Sequence, residues 1–338
     1  MIAPFPVRWP PEYRRLAESL GAENPLFRIG DVHPCEAAAD PEALPDPTGE
    51  ARLQPVPFVV RKHADRAVVL ATSRCFFYCR FCFRRGTPPG PEREPSPGDW
   101  ERIFQWLAAE PAVEEVILSG GDPLTLPDAQ LRNIATKLAS IPHLRRWRVH
   151  TRAPVVAPGR ITPQLVRALG GPLPLRVVVH AVHPAELRPA FLGAIRRLQD
   201  AGIPLLDQTV LLRGVNDEPQ ALAQLFAGLA AEGISPYYLH HPDRAPGNAA
   251  FRLSIREGLG VYRELLECSP PVADGGHTPP YVLDLPNGAG KVAVEALAPV
   301  AEEVHGMERR ARYRWAEPSA GGCEWWDVWE PVAGASLC

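Results

Sequence analysis

The segment TSRCFFYCRFCFRRG, residues 72–86, carries Cys75, Cys79 and Cys82 as C-x3-C-x2-C, with Arg80, Arg84 and Arg85 among and after them. Three thiols cannot all pair as disulfides, and a charged neighbourhood is a poor apolar core. A closed structural zinc site takes four ligands, usually in paired C-x2–4-C arms. The other cysteines, Cys35, Cys268, Cys323 and Cys338, are scattered and offer no second pair. A [4Fe–4S] cluster held by three thiolates leaves one iron open to another ligand. The spacing favours that cluster, with a zinc site or a structural role as the alternative.

A second chemistry is suggested by a scarcity. Of 36 basic residues, only Lys62, Lys137 and Lys291 are lysines. Arginine cannot replace an amine that must lose its proton or form an imine. Lys137 falls on the polar face of a helical stretch. Lys291 lies in LDLPNGAGKV, flanked by Gly288 and Gly290. Backbone N–H groups of such a turn can cradle a phosphate, although the spacing is not that of a P-loop. A Schiff-base lysine beside phosphate donors is what pyridoxal phosphate requires; a hairpin turn with an incidental lysine is the alternative. SGGDP, residues 119–123, is either an ordinary turn or a place where backbone approaches a ligand closely.

These motifs must be positioned by the elements between them. RAVVLATS, EEVILSG, RRWRVHT, PLRVVVHAV, PLLDQTVLL and SPYYLHH are apolar enough for buried strands, and a helical period follows each. Asp99 is the expected N-cap of the first of these helices. Six such units predict an α/β fold with a parallel sheet, either an open doubly wound sheet or a partial barrel. In both, ligands gather at the C-terminal strand ends, where the motifs fall. TPPYVLDLPNGAGKVAVEA predicts strand, turn and strand. The Trp-rich tail lacks a clear period and is expected to pack on the body or be partly disordered.

The chain has 338 residues, 46% hydrophobic and 22% charged, with net charge −3. That balance argues against a general nucleic-acid or anionic-membrane binder. No apolar run reaches the ~20 residues of a membrane helix. No signal-peptide pattern opens the sequence, and the expected location is cytoplasmic.

Taken in order, ADRAVVLATSRCFFYCRFCFRR, ILSGGDPL, HTRAPVVAPGRIT, HAVHPAEL, AGIPLLDQTVLLRGVND, SPYYLHHPD and LDLPNGAGK resemble the lysine 2,3-aminomutase family of radical S-adenosylmethionine enzymes. The resemblance covers about residues 55–292. It implies a partial (β/α)6 TIM-like barrel over 63–268, an N-terminal arm over 1–62, and a C-terminal segment over 269–338 that carries the cofactor lysine. It implies a [4Fe–4S] cluster on Cys75, Cys79 and Cys82, and S-adenosylmethionine lined by Gly120, Gly121, Asp122, His180 and Gln208. Pyridoxal phosphate would be linked to Lys291 and held by Arg66 and the Gly288–Gly290 turn. Arg84 would pair with the substrate α-carboxylate, and Asp243 and Asp284 with the distal ammonium of lysine. The implied reaction moves the amino group of L-lysine from C2 to C3, with flavodoxin or ferredoxin as electron donor. The same chemistry could serve elongation factor P modification or another amino acid; a non-catalytic iron–sulfur or zinc protein is a third reading.

The sequence departs from the family pattern in places. Lys62 replaces an arginine, His63 and His240 replace cofactor-side tyrosines, and Val182 replaces a common asparagine. The elongation factor P branch of the family also has histidine at the position of His240. PNGAGK is less glycine-rich than in longer aminomutases. Glu218 stands where a zinc-binding cysteine occurs in the clostridial type, so no interface zinc is expected. The short arm leaves homo-oligomeric assembly open.

Overall fold

Strand and helix alternate as expected in a computed structural model, which describes residues 5–38, 40–86, 93–268, 278–288, 290–305, 308–314 and 324–331. The arm contains α1 (Pro11–Ser19) and α2 (Pro25–Gly30) and ends in β1 (Val59–Val60). The repeats run β2 (Arg66–Thr72), α3 (Pro97–Ala109), β3 (Glu115–Gly120), α4 (Asp128–Ala139) and β4 (Arg146–Thr151). Short helices α5 (Ala153–Val156) and α6 (Pro163–Leu169) precede β5 (Leu175–Val179), α7 (Pro189–Gln199) and β6 (Leu205–Val210). Then come α8 (Pro219–Ala231), β7 (Ile234–His240), α9 (Ile255–Cys268), β8 (Tyr281–Asp284) and β9 (Lys291–Ala293). Strands β10 (Ala298–His305), β11 (Glu308–Arg314) and β12 (Glu324–Pro331) form a separate antiparallel sheet.

The large sheet runs in sequence order from β1 to β9. Strands β2 to β8 are parallel, while β1 and β9 are antiparallel to their neighbours. Among the described residues the outer strands do not pair with each other, so the barrel is open. Strand β9, which begins with Lys291, therefore continues the sheet that carries the cysteine loop.

Proline, abundant in this chain, marks helix starts. It stands first in α1, α2, α3, α6, α7 and α8, where its fixed φ suits the helix and its missing N–H costs no bond. Asp99 is not the N-cap of α3. Ser96 is the cap, and Asp99 reaches back to the Ser96 N–H at 2.9 Å, forming a capping box. The irregular tail also acquires a strand, since β12 pairs with β11. That pairing is non-local, which a short-range period cannot reveal. Cys323 and Cys338 lie outside the described residues.

Strand alternation separates core from lumen. On β2, Ala67, Val69 and Ala71 are buried under the helices, while Arg66, Val68 and Leu70 are half-buried on the other face. On β6, Leu206, Gln208 and Val210 face the same partly open lumen. No helix among the described residues is long and apolar enough to cross a membrane.

The SGGDP turn pins the cysteine loop. Gly121 N–H donates to Thr72 O at 2.6 Å and Asp122 N–H to Arg74 O at 2.7 Å. A Cβ on Gly121 would lie 2.3 Å from Arg74 O, and one on Gly120 the same distance from Thr72 O; Gly120 also has φ +114. Close approach is real here, and what approaches is the loop's own backbone. Gly121→Ala should cost about 1–3 kcal/mol by overpacking. Denaturant unfolding measures this; a wild-type midpoint would show that the loop is not held here.

Candidate active site

The cysteine loop follows β2 and ends in a 3-10 turn, Phe83–Gly86. Cys75, Cys79 and Cys82 are free thiols. Burial pushes Cys75 well up, aided by Cys82, Asp122 and Cys79, and it pushes Cys82 up to about 11, aided by Cys79. Cys79 is also raised by burial, against the pull of Arg152. Arg152 Nη1 donates to Cys79 Sγ at 3.0 Å, and the Arg84 backbone N–H donates to Cys82 sulfur. Such donors match sulfur that becomes thiolate on metal binding.

The arm clamps this loop. Glu36 takes both Arg80 and Arg85, the latter at 2.6 Å. Arg80 is 1% exposed and also donates to the Phe5 and Pro6 carbonyls. Arg84 is gripped by Glu50, with Nε to Oε2 at 2.8 Å and Nη2 to Oε1 at 2.7 Å. Its Nη1 spans Ser119 Oγ at 3.3 Å and Gly120 O at 2.8 Å. Of the five guanidinium donors, one N–H of Nη2 keeps no protein acceptor among the described residues.

Asp122 is turned inward. Its carboxylate accepts from Leu124 N at 3.0 Å, Thr151 Oγ1 at 2.7 Å and Arg152 N at 2.9 Å. It ties the SGGDP turn to the end of β4. His180 follows β5, beside His150 on β4, with ring centroids 5.7 Å apart. Burial pushes His180 down to about 3 and His150 well below its usual range. The Nε2 atoms of His150, His180 and His240 are buried without a hydrogen-bond partner among the described residues. Neutral rings with spare nitrogens, near half-buried Gln208, suit a polar ligand.

Across the opening, antiparallel register sets Lys291 opposite Asp284, so both side chains share one face. Lys291 Nζ lies 2.6 Å from Asp284 Oδ2 and 3.2 Å from His240 Nδ1, and 5.0 Å from the Tyr238 ring centroid. Burial would raise the Asp284 carboxyl, but His240 and Lys291 together hold it well below the usual range. Burial, then the Asp284 charge, pushes the recessed Asp243 up to about 8. Arg66, at the start of β2, is 3.7 Å from Asp65; its charge acts on Tyr237 and Tyr238, although burial and Tyr237 push Tyr238 up to about 12. Tyr238 thus links the surroundings of Arg66 to Lys291. Gly288 and Gly290 both have positive φ; a Cβ on Gly288 would strike Leu53, while the space around Gly290 is open.

The radical SAM superfamily model matches residues 69–226. An L-lysine 2,3-aminomutase from Escherichia coli is 37% identical, covering 78% of this chain and 76% of that protein. One from Haemophilus influenzae is 36% identical, covering 77% of each. The chain belongs to the L-lysine 2,3-aminomutase family. Among solved structures, a radical SAM methyltransferase from Sphaerobacter thermophilus matches at 18% identity and TM-score 0.46 over 67% of each chain, too loosely to carry residue roles.

The family is one of isomerases that use a [4Fe–4S] cluster, S-adenosylmethionine and pyridoxal phosphate. The donor set fits the cluster. The three thiols lie on one loop, where N–H groups of Arg152 and Arg84 already reach two of the sulfurs, and a cubane takes one thiolate per iron. The Lys291 amine and the open Gly290 turn fit the pyridoxal group.

Sequence reasoning missed Glu50, His150, Arg152 and Tyr238, and noted Lys62 as one of three lysines and as a departure from the family pattern, without a role. Lys62 is recessed among Asp284, Glu50 and Asp243; burial lowers its pKa against their attraction. HTRAPV held His150 and Arg152 in view, yet their roles depend on contacts across the sheet. Glu50 had no signal in a proline-rich arm.

Asp243 gives a signed pH prediction. Unfolded, it loses its proton near pH ~3.9; folded, it keeps it to about 8. Its stabilising contribution is full below the lower value and lost as pH rises through the upper. Asp243→Asn lacks this loss, so its stability relative to wild type should rise between about pH 4 and 8. Thermal unfolding of both proteins across that range tests it; a pH-independent difference would contradict the assignment.

Proposed function

We propose that this chain is an amino acid 2,3-aminomutase whose substrate is L-lysine and whose product is β-lysine. The observation that carries the substrate is the ammonium seat at Asp284: a lysine ammonium already rests there at 2.6 Å, with Asp243 close by. Once the Lys291 amine is committed to the cofactor, it no longer neutralises Asp284. A buried unpaired carboxylate is costly, and the distal ammonium of substrate lysine restores the pair.

When bound, the cluster with S-adenosylmethionine supplies a hydrogen-abstracting radical, and pyridoxal phosphate supplies a π-system for the migrating nitrogen. Cys75, Cys79 and Cys82 would hold the cluster. Gly120, Gly121, His180 and Gln208 would line the nucleoside, with Asp122 fixing the turn. Lys291, Arg66 and the Gly288–Gly290 turn would hold the pyridoxal group. The remaining work belongs to side chains. Arg84 directs its spare Nη2 hydrogen at the substrate carboxylate, aimed by Glu50. His240 Nδ1 lies 3.2 Å from Lys291 Nζ and 3.3 Å from Asp284 Oδ2, so the buried ring holds the amine and the carboxylate against each other. Half-buried lumen residues and the arm limit water access. The reading also calls for a one-electron donor, of flavodoxin or ferredoxin type, and a reducing cytoplasm. Its free cysteines suit that compartment.

Anaerobic reconstitution with iron, sulfide, S-adenosylmethionine, pyridoxal phosphate and dithionite tests the proposal on lysine, ornithine, arginine and glutamate. Lysine should give a product with nitrogen on C3; no 5′-deoxyadenosine under competent reduction would sink the reading. Lys291→Ala should lose the visible absorbance of protein-linked pyridoxal phosphate, and its persistence would count against this lysine. Asp284→Asn should weaken lysine use about 10–100-fold, the worth of ~1.5–3 kcal/mol for a bond to a charged group, and leave iron content intact. Unchanged selectivity in kcat/KM across the four amino acids would remove Asp284 from substrate recognition.

A further inference from the structure

We propose that Arg152 is a positioning residue for the iron–sulfur cluster, setting its reduction potential through a charge-assisted N–H···S bond to Cys79. The inference rests on the reading of Cys75, Cys79 and Cys82 as cluster ligands. Arg152 follows β4, and its backbone N–H is fixed on Asp122 at 2.9 Å. Its guanidinium is buried, with Cζ 5.3 Å from the Phe77 ring, 5.6 Å from Phe81 and 5.8 Å from Tyr13. Nη1 meets Cys79 Sγ at 3.0 Å. Nη2 meets Glu186 Oε1 at 2.5 Å and the Tyr13 hydroxyl at 3.2 Å. Glu186 is fully buried; its other oxygen accepts from Val182 N at 2.7 Å and from His183 N. The Tyr13 hydroxyl also donates to Glu186.

This geometry differs from that of the other loop arginines. Arg80 and Arg85 spend their charge on Glu36, and Arg84 on Glu50. Arg152 gives an N–H directly to a ligand sulfur and is backed by one carboxylate. One-electron reduction adds negative charge to the cluster. A buried cation at sulfur stabilises that charge strongly, because screening is weak in the interior. Hydrogen bonds to cluster sulfur and burial are established determinants of potential. Glu186 holds the cation in place and partly offsets it, so the two side chains act with opposite sign.

The test is an EPR-monitored redox titration of reconstituted protein, with dithionite as reductant and iron and sulfide content measured first. Arg152→Gln should lower the midpoint. A ~tenfold fall in the reduced-to-oxidised ratio at fixed potential corresponds to ~59 mV for one electron. Glu186→Gln should raise the midpoint, and Arg152→Lys should fall between wild type and Arg152→Gln. Where Arg152→Gln does not load a cluster, the direction of Glu186→Gln decides alone. A loaded Arg152→Gln with the wild-type midpoint, or both glutamine variants shifting the same way, would overturn the proposal. Wild-type protein that takes up no cluster would instead overturn the ligand reading beneath it.

Discussion

The cysteine loop must gather negative charge in a half-buried place, and the surrounding structure answers that electrostatic demand. Of the arginines at the loop, Arg80, Arg84, Arg85 and Arg152 are each matched by a glutamate from a distant segment. Glu36 serves Arg80 and Arg85, Glu50 serves Arg84, and Glu186 serves Arg152. A buried guanidinium without a partner is costly, so the packed loop depends on the arm and on the connection after β5. The arm is thereby part of the active site's construction. Removing it would strand three cations at once.

A second constraint is one of register. Asp284 and Lys291 are separated by a hairpin, and antiparallel pairing brings them face to face. A slip of one residue would send one side chain to the opposite face, separating amine from carboxylate. The turn preserves register through the Leu285 N–H, which donates to Gly290 O at 2.8 Å. Since β8 pairs with β7, which carries Tyr238 and His240, three neighbouring strands assemble the amine's surroundings without any long loop.

Legibility in the sequence followed the range of the interactions. The six strand–helix units were legible because apolar period is local and the strands are buried on one face or both. The cysteine loop and Lys291 stood out as candidates because residue type and spacing restrict the chemistry open to them. Asp99 was misplaced by three residues because a capping box places a polar side chain at both ends of its geometry, here Ser96 and Asp99, and only coordinates tell which residue is extended. Glu50, Glu186 and Arg152 were not legible as partners. Arg84 and Glu50 lie 34 positions apart, and Arg152 and Cys79 lie 73. Nothing in either local sequence encodes such a meeting. The tail strand β12 was obscured for the same reason.

The charges of the lumen also bear on what can bind there. Arg84 is balanced by Glu50, and Lys291 by Asp284. Asp243 stays protonated to about 8, because it is buried and because Asp284 beside it is held ionised. Two adjacent acids thus share one charge, and the protonated one is a reserve. On the proposed reading, a distal ammonium would take the place of the Lys291 ammonium at Asp284, whereas a neutral side chain would leave that carboxylate unpaired and an acidic one would add repulsion. Lys62, recessed near the same acids, is a resident cation that limits how much further positive charge the recess can hold. Selection for a single distal cation then follows from charge balance, without a shaped pocket for each methylene.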